Sequence, residues 1–411
     1  MPDTQDGADD PLAAILAATE DTQRAAAPLA AGAEAAALAK VETAIALLQS
    51  AIRNHPRFVA LEAAWRSLHR LATAPHDGPL VVKLMPLTKR EAVRDQRAVQ
   101  DPEDSDLCTL LWHEGLGGGE PFGLLLADLE FGAEPDDILA LRGLAAAGAG
   151  AFVPVVAHAA PALLDLPDWG ALPAAGGLAR IHEGPRHIPW RSLRESEEAR
   201  FLALVAPRVL ARGGEGAPRF TGGGWVVAAR IAASFAREGW GAAIEGREDG
   251  TEPGLPPIGR VPTECDPADG QEVALATLGL TLLVPRGADS AVLRMAPTLH
   301  RPPRFQAAAA NQDAALAARL PWVLAVGRIL HGAALRARDE LRAGRGVRAA
   351  EAALNAWLAT LVGPEAPLAE ARAELPAAQG QPGVHHLAIR LRPHLPQGTP
   401  SVAHKLVMAL P

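Results

Sequence analysis

Apolar runs alternate with amphipathic helical segments through the middle of the chain, and this alternation restricts the possible folds more than any other feature. The runs are FGLLLADLEF at 122–131, FVPVVAH at 152–158 and FLALVAP at 201–207. Strands that are apolar on both faces are typical of parallel sheets covered by helices. The sequence therefore predicts an α/β fold with a helix-covered, largely parallel sheet as its body.

The segments around this body have different patterns, and they suggest a division of the chain. A short helix and a small-residue linker precede the body, and a Gly/Pro-rich loop near residue 250 interrupts it. Long helical patterns and a terminal strand pair follow. We divide the chain into an N-terminal helix and linker (1–32), a first part of the body (33–250), a β-containing part (251–307), and C-terminal helices with a β-hairpin (308–411).

Two amphipathic helices are predicted ahead of the sheet, separated at Pro56. Apolar residues recur in them at intervals of three and four, and such stripes usually face a core. We therefore expect both stripes to be buried. Their members are Leu38, Val41, Ile45, Leu48 and Ile52 in the first helix, and Phe58, Leu61, Trp65 and Leu68 in the second. The next run, PLVVKLMPL at 79–87, is predicted to be a strand.

The end of the chain has the alternation of a β-hairpin. Leu387, Ile389 and Leu391 alternate with polar or small residues, and a second strand is predicted over 401–410 after a turn. An isolated hairpin is only marginally stable. It must find further strands in its own domain or in a neighbouring subunit.

Composition excludes several classes of protein. The net charge of −8 and the absence of Lys/Arg runs interleaved with aromatics argue against nucleic-acid binding. Two cysteines, Cys108 and Cys265, cannot build a disulfide framework or a thiolate zinc site, which favours a reducing compartment. The start is acidic, and the apolar runs are interrupted, so we expect a cytoplasmic protein without direct membrane insertion.

No pattern predicts a specific catalytic, cofactor or metal site. The glycine-rich segment at 113–123 leads into a strand, whereas a phosphate cradle needs a strand before the glycines and a helix after them. Asp128 and Glu130 follow an apolar strand, but no partner base is identifiable. Metal binding is one interpretation of the terminal histidines, and solvated strand faces fit the pattern better. They are His385, His386, His394 and His404.

The segment WRSLRESEEARF at 190–201 concentrates charge between large apolar residues. As one continuous helix it places Trp190, Glu197 and Phe201 on a single stripe. It also places Arg191 with Glu195, and Arg194 with Glu198, four residues apart as surface ion pairs. We interpret these charges as a solvated helix face and not as a catalytic constellation.

Several segments, in this order, resemble the large subunit of the contractile sheath of type VI secretion systems (the TssC/VipB family). The resemblance covers roughly residues 35–411. It is carried by HPRFVALEAAWRSLHRL, GGEPFGLLLADLEF, WRSLRESEEARF, FAREGWGAAIEG, LAARLPWVLAVGRILH and RLRPHLPQGTPSVAHKLVMALP. It implies a tail-sheath-like fold and a structural, non-enzymatic protein without a cofactor.

The resemblance also implies a set of partners. The large subunit pairs with a small sheath subunit and polymerises with other copies of itself around an inner tube, on a baseplate. Contraction of the sheath drives the tube outward, and a AAA+ unfoldase then disassembles the contracted sheath.

The resemblance further implies roles for three groups of residues. An N-terminal helix recognised by the unfoldase would present Leu12, Ile15, Leu16 and Thr19. Strand pairing between subunits would use Leu387, Ile389, Leu391, Val402, Leu406 and Met408. The framework motif would comprise Trp190, Arg191, Arg194, Glu195, Ser196, Glu197 and Phe201.

Two segments depart from the family pattern. The region ahead of the Leu38 helix is short, and RGGEGAPRFTGGG at 212–224 replaces a longer insertion. These departures leave a second interpretation open, in which the chain is a non-polymerising paralogue that binds sheath or baseplate components. An enzyme acting on a nucleotide or phosphate substrate is the third.

Overall fold

A computed structural model describes residues 31–74, 80–117, 121–212, 218–246, 250–256, 261–377 and 384–410. The α-helices of these residues are α1 (Ala31–Asn54), α2 (Pro56–Thr73), α3 (Lys89–Ala98), α4 (Asp106–Leu110), α5 (Pro135–Ala151), α6 (Ile188–Glu195), α7 (Gly224–Glu238), α8 (Gln271–Thr277), α9 (Ala308–Ala317), α10 (Leu320–Arg342) and α11 (Val347–Ala359). A π-helical turn continues α4 at Leu111–Gly117, and several short 3-10 turns lie between residues 161 and 201.

The strands form three sheets. They are β1 (Leu125–Phe131), β2 (Val155–Ala159), β3 (Leu202–Ala206), β4 (Val209–Arg212), β5 (Arg219–Thr221), β6 (Thr251–Glu252), β7 (Leu280–Pro285), β8 (Ala291–Leu293), β9 (Leu368–Glu374), β10 (His386–Pro393) and β11 (His404–Ala409). The main sheet has the order β1-β2-β3-β7-β8-β6, a second sheet has the order β11-β10-β9, and β4 pairs with β5.

The main sheet is largely parallel and covered on both faces, as predicted. Strands β1, β2, β3 and β7 are parallel, and β8 and β6 are antiparallel at one side. Val155 and Leu202 pack with α5 on one face, while Val156 and Ala203 pack with α7 on the other. Alternate residues of a strand point to opposite faces, so strands that are buried on both must be apolar throughout.

The C-terminal part has a core of its own. Helices α10 and α11 pack beneath the second sheet, and their buried side chains join those of β9, β10 and β11. Phe152, just after α5, and Phe201, just before β3, also enter this core. Their rings meet edge to face with centroids 5.5 Å apart. This pair extends the second core to the end of α5 and to the turn before β3.

The structure corrects two details of the sequence prediction and decides one that the sequence left open. The helical stretch at 308–345 is interrupted at Ala318 and Arg319, and Pro321 lies in the first turn of α10, where its missing N–H removes no helical hydrogen bond. The terminal hairpin has a third strand, β9, from its own chain. The run at 80–87 has no regular secondary structure and is not a hydrogen-bonded strand.

Candidate assembly surfaces

The apolar stripes of α1 and α2 face solvent, so the prediction that they are core is wrong for a single chain. Leu38 is 57% exposed and Trp65 is 56% exposed. The residues of α2 that are buried are Ala63, Ser67 and Leu71. Most of the exposed large apolar side chains in the described residues lie between 38 and 85; they are Leu38, Val41, Ile45, Leu47, Ile52, Phe58, Leu61, Trp65, Leu80, Val81, Val82, Leu84 and Met85.

These thirteen residues, here called the N-terminal apolar surface, lie on α1, on α2 and in the segment at 80–85. Val81 is 75% exposed and Leu84 62%. Lys83 lies over the Phe122 ring just ahead of β1, with its Nζ 5.1 Å from the ring centroid. The segment at 80–85 therefore carries exposed apolar side chains and lies near the residues that lead into β1.

A membrane span is a second explanation for the exposed apolar side chains of α1. By length and composition, residues Glu34–Asn54 are apolar enough to cross a membrane, and none of this span is buried in the single chain. Charged residues Lys40 and Glu42 lie in the middle of the span. The exposed apolar side chains are not confined to this span, since they recur in α2 and at 80–85, so a membrane span in α1 would not account for them all.

Charged side chains fasten α2 to the body. Glu62 of α2 lies 3.4 Å from Arg212 and 3.3 Å from Arg219, which belong to the β4–β5 hairpin. Arg219 also donates to the Arg53 carbonyl at the end of α1. Arg70 bonds Glu252 at 2.8 Å on the other side of the helix. A groove of about 680 Å³ remains between α2 and the body, so polar contacts hold α2 where apolar packing is sparse.

The C-terminal sheet has β10 at its centre. Leu387, Ile389 and Leu391 are fully buried in the second core, and both edges of β10 are occupied, by β9 and by β11. These three residues therefore stabilise the fold of one chain, and pairing with a neighbour is left to the outer strands. On β11, Met408 is buried and Leu406 is partly buried against the same core.

Val402 lies outside the strand in which the sequence placed it, because β11 begins only at His404. Its side chain is 60% exposed, and its backbone N–H donates to Asp313 of α9. Ser401 donates to the same carboxylate through its own N–H at 2.8 Å. The Asp313 carboxylate thus holds residues 401 and 402 in a bend. In a strand these residues would be extended and would pair with a neighbouring strand.

A second carboxylate fastens the same connection between β10 and β11. Glu245 accepts hydrogen bonds from Arg319 at 2.7 Å, from the Ala296 N–H at 2.5 Å, and from Gln397. Burial raises the pKa of Glu245, and the Arg319 charge opposes that rise. Together, Glu245 and Asp313 fix the C-terminal sheet to the body.

The segment at 190–201 is not one helix. Helix α6 ends at Glu195, and Ser196 accepts a hydrogen bond from the Ala199 N–H, which starts a separate 3-10 turn at Glu198–Phe201. Serine offers the backbone such an alternative to helical bonding. Trp190 is fully buried and Phe201 nearly so, as anchors of the motif should be.

The predicted ion pairs of α6 are wrong, because both arginines bind backbone carbonyls. Arg191 donates to the carbonyls of His182 and Gly184 at 2.6 and 2.9 Å. Arg194 is buried and donates to the carbonyls of Leu299 and Thr277 at 3.1 and 3.0 Å. Burial lowers the pKa of Arg194 to about 10, so the side chain stays charged at neutral pH. Glu195, Glu197 and Glu198 are exposed.

Asp128 has a histidine partner that the sequence did not reveal. Its carboxylate accepts from His158 Nε2 and Trp225 Nε1, both at 2.9 Å. The other ring nitrogen of His158, Nδ1, accepts from the Gly224 N–H at 3.2 Å. Burial raises the pKa of Asp128 but the two hydrogen bonds outweigh it, with a net lowering. Since both nitrogens of His158 are engaged, it has none left to take a proton from a nucleophile.

The other residues considered for catalysis or metal binding also make structural contacts. Glu130 pairs with Arg208 at the end of the same sheet. His394 bonds Thr399 and the Gly363 carbonyl, and His404 lies against the Trp322 ring with centroids 5.5 Å apart. In the described residues no group of three or more His, Cys, Asp and Glu side chains could hold a metal ion.

The candidate unfoldase-recognition residues Leu12, Ile15, Leu16 and Thr19 lie outside the described residues.

Comparison with protein families finds two matches along the chain. Residues 35–221 match the family described as EvpB/VC_A0108, tail sheath N-terminal domain. Residues 309–410 match EvpB/VC_A0108, tail sheath gpW/gp25-like domain. The N-terminal apolar surface falls wholly in the first match and the β11-β10-β9 sheet in the second. The two matches together cover well over half of the chain.

A curated relative agrees with these matches. The chain is 29% identical to the type VI secretion system sheath protein TssC1 of Pseudomonas aeruginosa, over 91% of this chain and 86% of the relative. The similarity therefore spans the described body and the C-terminal sheet alike.

Proposed function

Because the chain belongs to the tail sheath family of type VI secretion systems, as a TssC/VipB-type large sheath subunit, we propose that it polymerises with a small sheath subunit into a helical sheath around an inner tube. Contraction of this sheath would drive the tube outward for protein secretion. In this proposal the chain is cytoplasmic, has no catalytic role, and binds neither nucleic acid nor a cofactor.

The N-terminal apolar surface is the observation that carries this proposal. A monomeric protein rarely exposes so many large apolar side chains within one part of its chain. Burying one large apolar side chain stabilises a complex by roughly 1.5 to 3 kcal/mol before the cost of association is subtracted. The small sheath subunit is the proposed occupant, since it would have to cover this surface before the chain could remain soluble.

The C-terminal sheet supplies the second contact. The outer edge of β11 would accept an extended segment from another copy of this chain, which links subunits in the lattice. The baseplate and the inner tube are further partners that the family implies. The unfoldase would bind the segment with Leu12, Ile15, Leu16 and Thr19.

The docking surface can be tested by co-purification. We expect Leu61→Asp with Trp65→Asp to abolish capture of the small subunit, because two charges would replace apolar area at the centre of the surface. Val273→Asp, at an exposed apolar residue of α8, is the matched control and should bind normally.

Two results would contradict this assignment. Normal capture by the double variant would show that the small subunit binds elsewhere. A stable, monodisperse wild-type monomer without the small subunit would show that the surface needs no cover, and would favour the non-polymerising paralogue.

A further inference from the structure

A cavity of about 710 Å³ lies between the end of α1, the start of α2 and the β4–β5 hairpin, and its lining is strongly basic. In the part of the chain that the structure describes, the charged residues that line it are Arg53, Arg66, Arg212, Arg219 and Glu62. Four arginines and one glutamate give the lining a net charge of +3. The whole chain has a net charge of −8, so this cavity is a basic site on an acidic protein.

One carboxylate is shared among three of these guanidinium groups. Glu62 lies 2.9 Å from Arg66, 3.4 Å from Arg212 and 3.3 Å from Arg219. Burial opposes the ionisation of Glu62, but the arginines outweigh it and lower the pKa of this carboxyl. A carboxylate binds a single guanidinium fully through two parallel hydrogen bonds. Glu62 therefore neutralises one of three positive charges and leaves donors of the others for a second anion.

The three arginines differ in how far the fold has already used them. Arg219 is buried, with a side chain 4% exposed, and it also donates to the Arg53 carbonyl and to Asn54. The side chains of Arg66 and Arg212 are 48% and 34% exposed. Arg219 is thus part of the framework that holds the helices, whereas Arg66 and Arg212 can reach a ligand from outside the chain.

The cavity adjoins the N-terminal apolar surface. Phe58, a member of that surface, lines the cavity, and Ile45 and Ile52 are next in sequence to residues of α1 that line it. A chain that packs on these three apolar residues would therefore lie over the cavity and remove water from Arg66 and Arg212. A buried charge without a partner is strongly destabilising, so the covering chain has to bring negative charge to this place.

We propose that the cavity accepts an aspartate or glutamate side chain of the small sheath subunit, whose carboxylate pairs with Arg66 and Arg212. This inference rests on the proposed function, in which the small sheath subunit covers the N-terminal apolar surface. Apolar contacts are not directional, and a helical stripe alone permits a shift of one turn along its partner. A guanidinium–carboxylate pair fixes the register, because its two hydrogen bonds form in one orientation.

Dissociation of the chain from immobilised small subunit tests the contribution of the two arginines. We expect Arg66→Gln with Arg212→Gln to dissociate at least about tenfold faster than the wild type, because the carboxylate stays buried without a charged partner. Arg219 is left intact to preserve the framework. Arg304→Gln with Arg348→Gln removes the same charge at exposed positions outside the cavity and should dissociate as the wild type does. Equal rates for all three proteins would overturn the proposal and assign the cavity to a small mobile anion.

A cross-link identifies the carboxylate itself. Arg66→Lys with Arg212→Lys keeps both positive charges and supplies primary amines, which a carbodiimide joins to a carboxylate in direct contact. We expect an amide link to one aspartate or glutamate of the small subunit, located by mass spectrometry. A link to Glu62 alone would show that no second carboxylate enters the cavity and would overturn the proposal.

Charge reversal separates a contact from a role in folding. Arg212→Glu should release the small subunit, and replacing the cross-linked acid by arginine should restore capture. If Arg212→Glu does not fold, Arg66→Glu, on the exposed side of α2, gives the same readout. Absence of restoration would show that the arginine only supports its own chain. A wild type that never captures the small subunit would refute the proposed function together with this inference, whereas normal capture that ignores the arginine variants would refute this inference alone.

Discussion

Replacing Arg194 with methionine should destabilise the protein. If Arg194 were a surface ion-pair residue, the same replacement would be nearly neutral. The guanidinium of Arg194 joins α6 to the carbonyl of Thr277, at the last residue of α8, and to the carbonyl of Leu299. Methionine fills much of the same volume but donates no hydrogen bond. The Arg194→Met variant therefore leaves two carbonyl groups without their charged donor.

The magnitude follows from two opposing contributions. Two hydrogen bonds from a charged group stabilise the fold by about 1.5 to 3 kcal/mol each. Burial of the charge opposes this, and the lowering of the Arg194 pKa to about 10 corresponds to roughly 3 kcal/mol. The difference leaves a net loss of about 2 kcal/mol for Arg194→Met. Arg194→Lys retains a charge but has a single ammonium for two carbonyls, and should lose about 1 kcal/mol.

Urea denaturation of the complex with the small subunit measures these losses from the shift in midpoint at constant slope. Glu195→Gln, at the exposed end of α6, is the control and should stay within about 0.5 kcal/mol of the wild type. A loss below about 0.5 kcal/mol for Arg194→Met would refute the reasoning, because it would mean that the residue acts as a solvated surface charge.

Three further predictions concern pH, recycling and the terminal strand. Burial lowers the pKa of His182 to about 4, below its unfolded value, so the stability that neutral His182 contributes is complete above about pH 6.5 and is lost as the pH falls towards 4. Thermal melting should show a loss of up to about 3 kcal/mol in the wild type and a smaller loss in His182→Gln. Equal losses in the two proteins would contradict the assignment. Leu12→Asp with Leu16→Asp should abolish binding to the N-terminal domain of the unfoldase in a titration and leave assembly intact, and unchanged binding would remove the recycling role. Deleting 401–411 should leave the main-sheet body folded by circular dichroism but prevent tubules in electron micrographs, whereas normal tubules would show that β11 is not the connecting strand.

The sequence predicted the main sheet well because its strands are buried on both faces. Strand β3 is apolar and buried at every position, which is the pattern typical of a strand in a helix-covered parallel sheet. The alternation of Leu387, Ile389 and Leu391 likewise predicted a strand with one buried face, and all three are fully buried.

Strand β9 was missed because its sequence, LAEARAE, presents small alanines where a core strand usually has large residues. Its pairing with β10 and its contact with Asn355 stabilise the strand, because its own small side chains contribute little packing. Alternating alanine and charge is equally compatible with a solvated helix, so no local signal could have decided the assignment.

The predictions for α1, α2 and Arg194 failed for a different reason. A local sequence pattern does not show which distant residue, or which other chain, a side chain contacts. A helical stripe shows that a face will be buried but not whether the same chain buries it, and in α1 and α2 the stripe is exposed. Arg194 binds carbonyls 83 and 105 residues away. Local spacing offered Glu198 as its partner, and only the fold could show the true one.

Electron microscopy of this chain co-expressed with the small sheath subunit tests the central claim most directly. The account predicts hollow, regular tubules that sediment at high speed and contain both chains, and that disappear in the Leu61→Asp, Trp65→Asp variant. A soluble complex of the two wild-type chains that forms no tubules under any condition would contradict the sheath assignment and identify the protein as a non-polymerising paralogue.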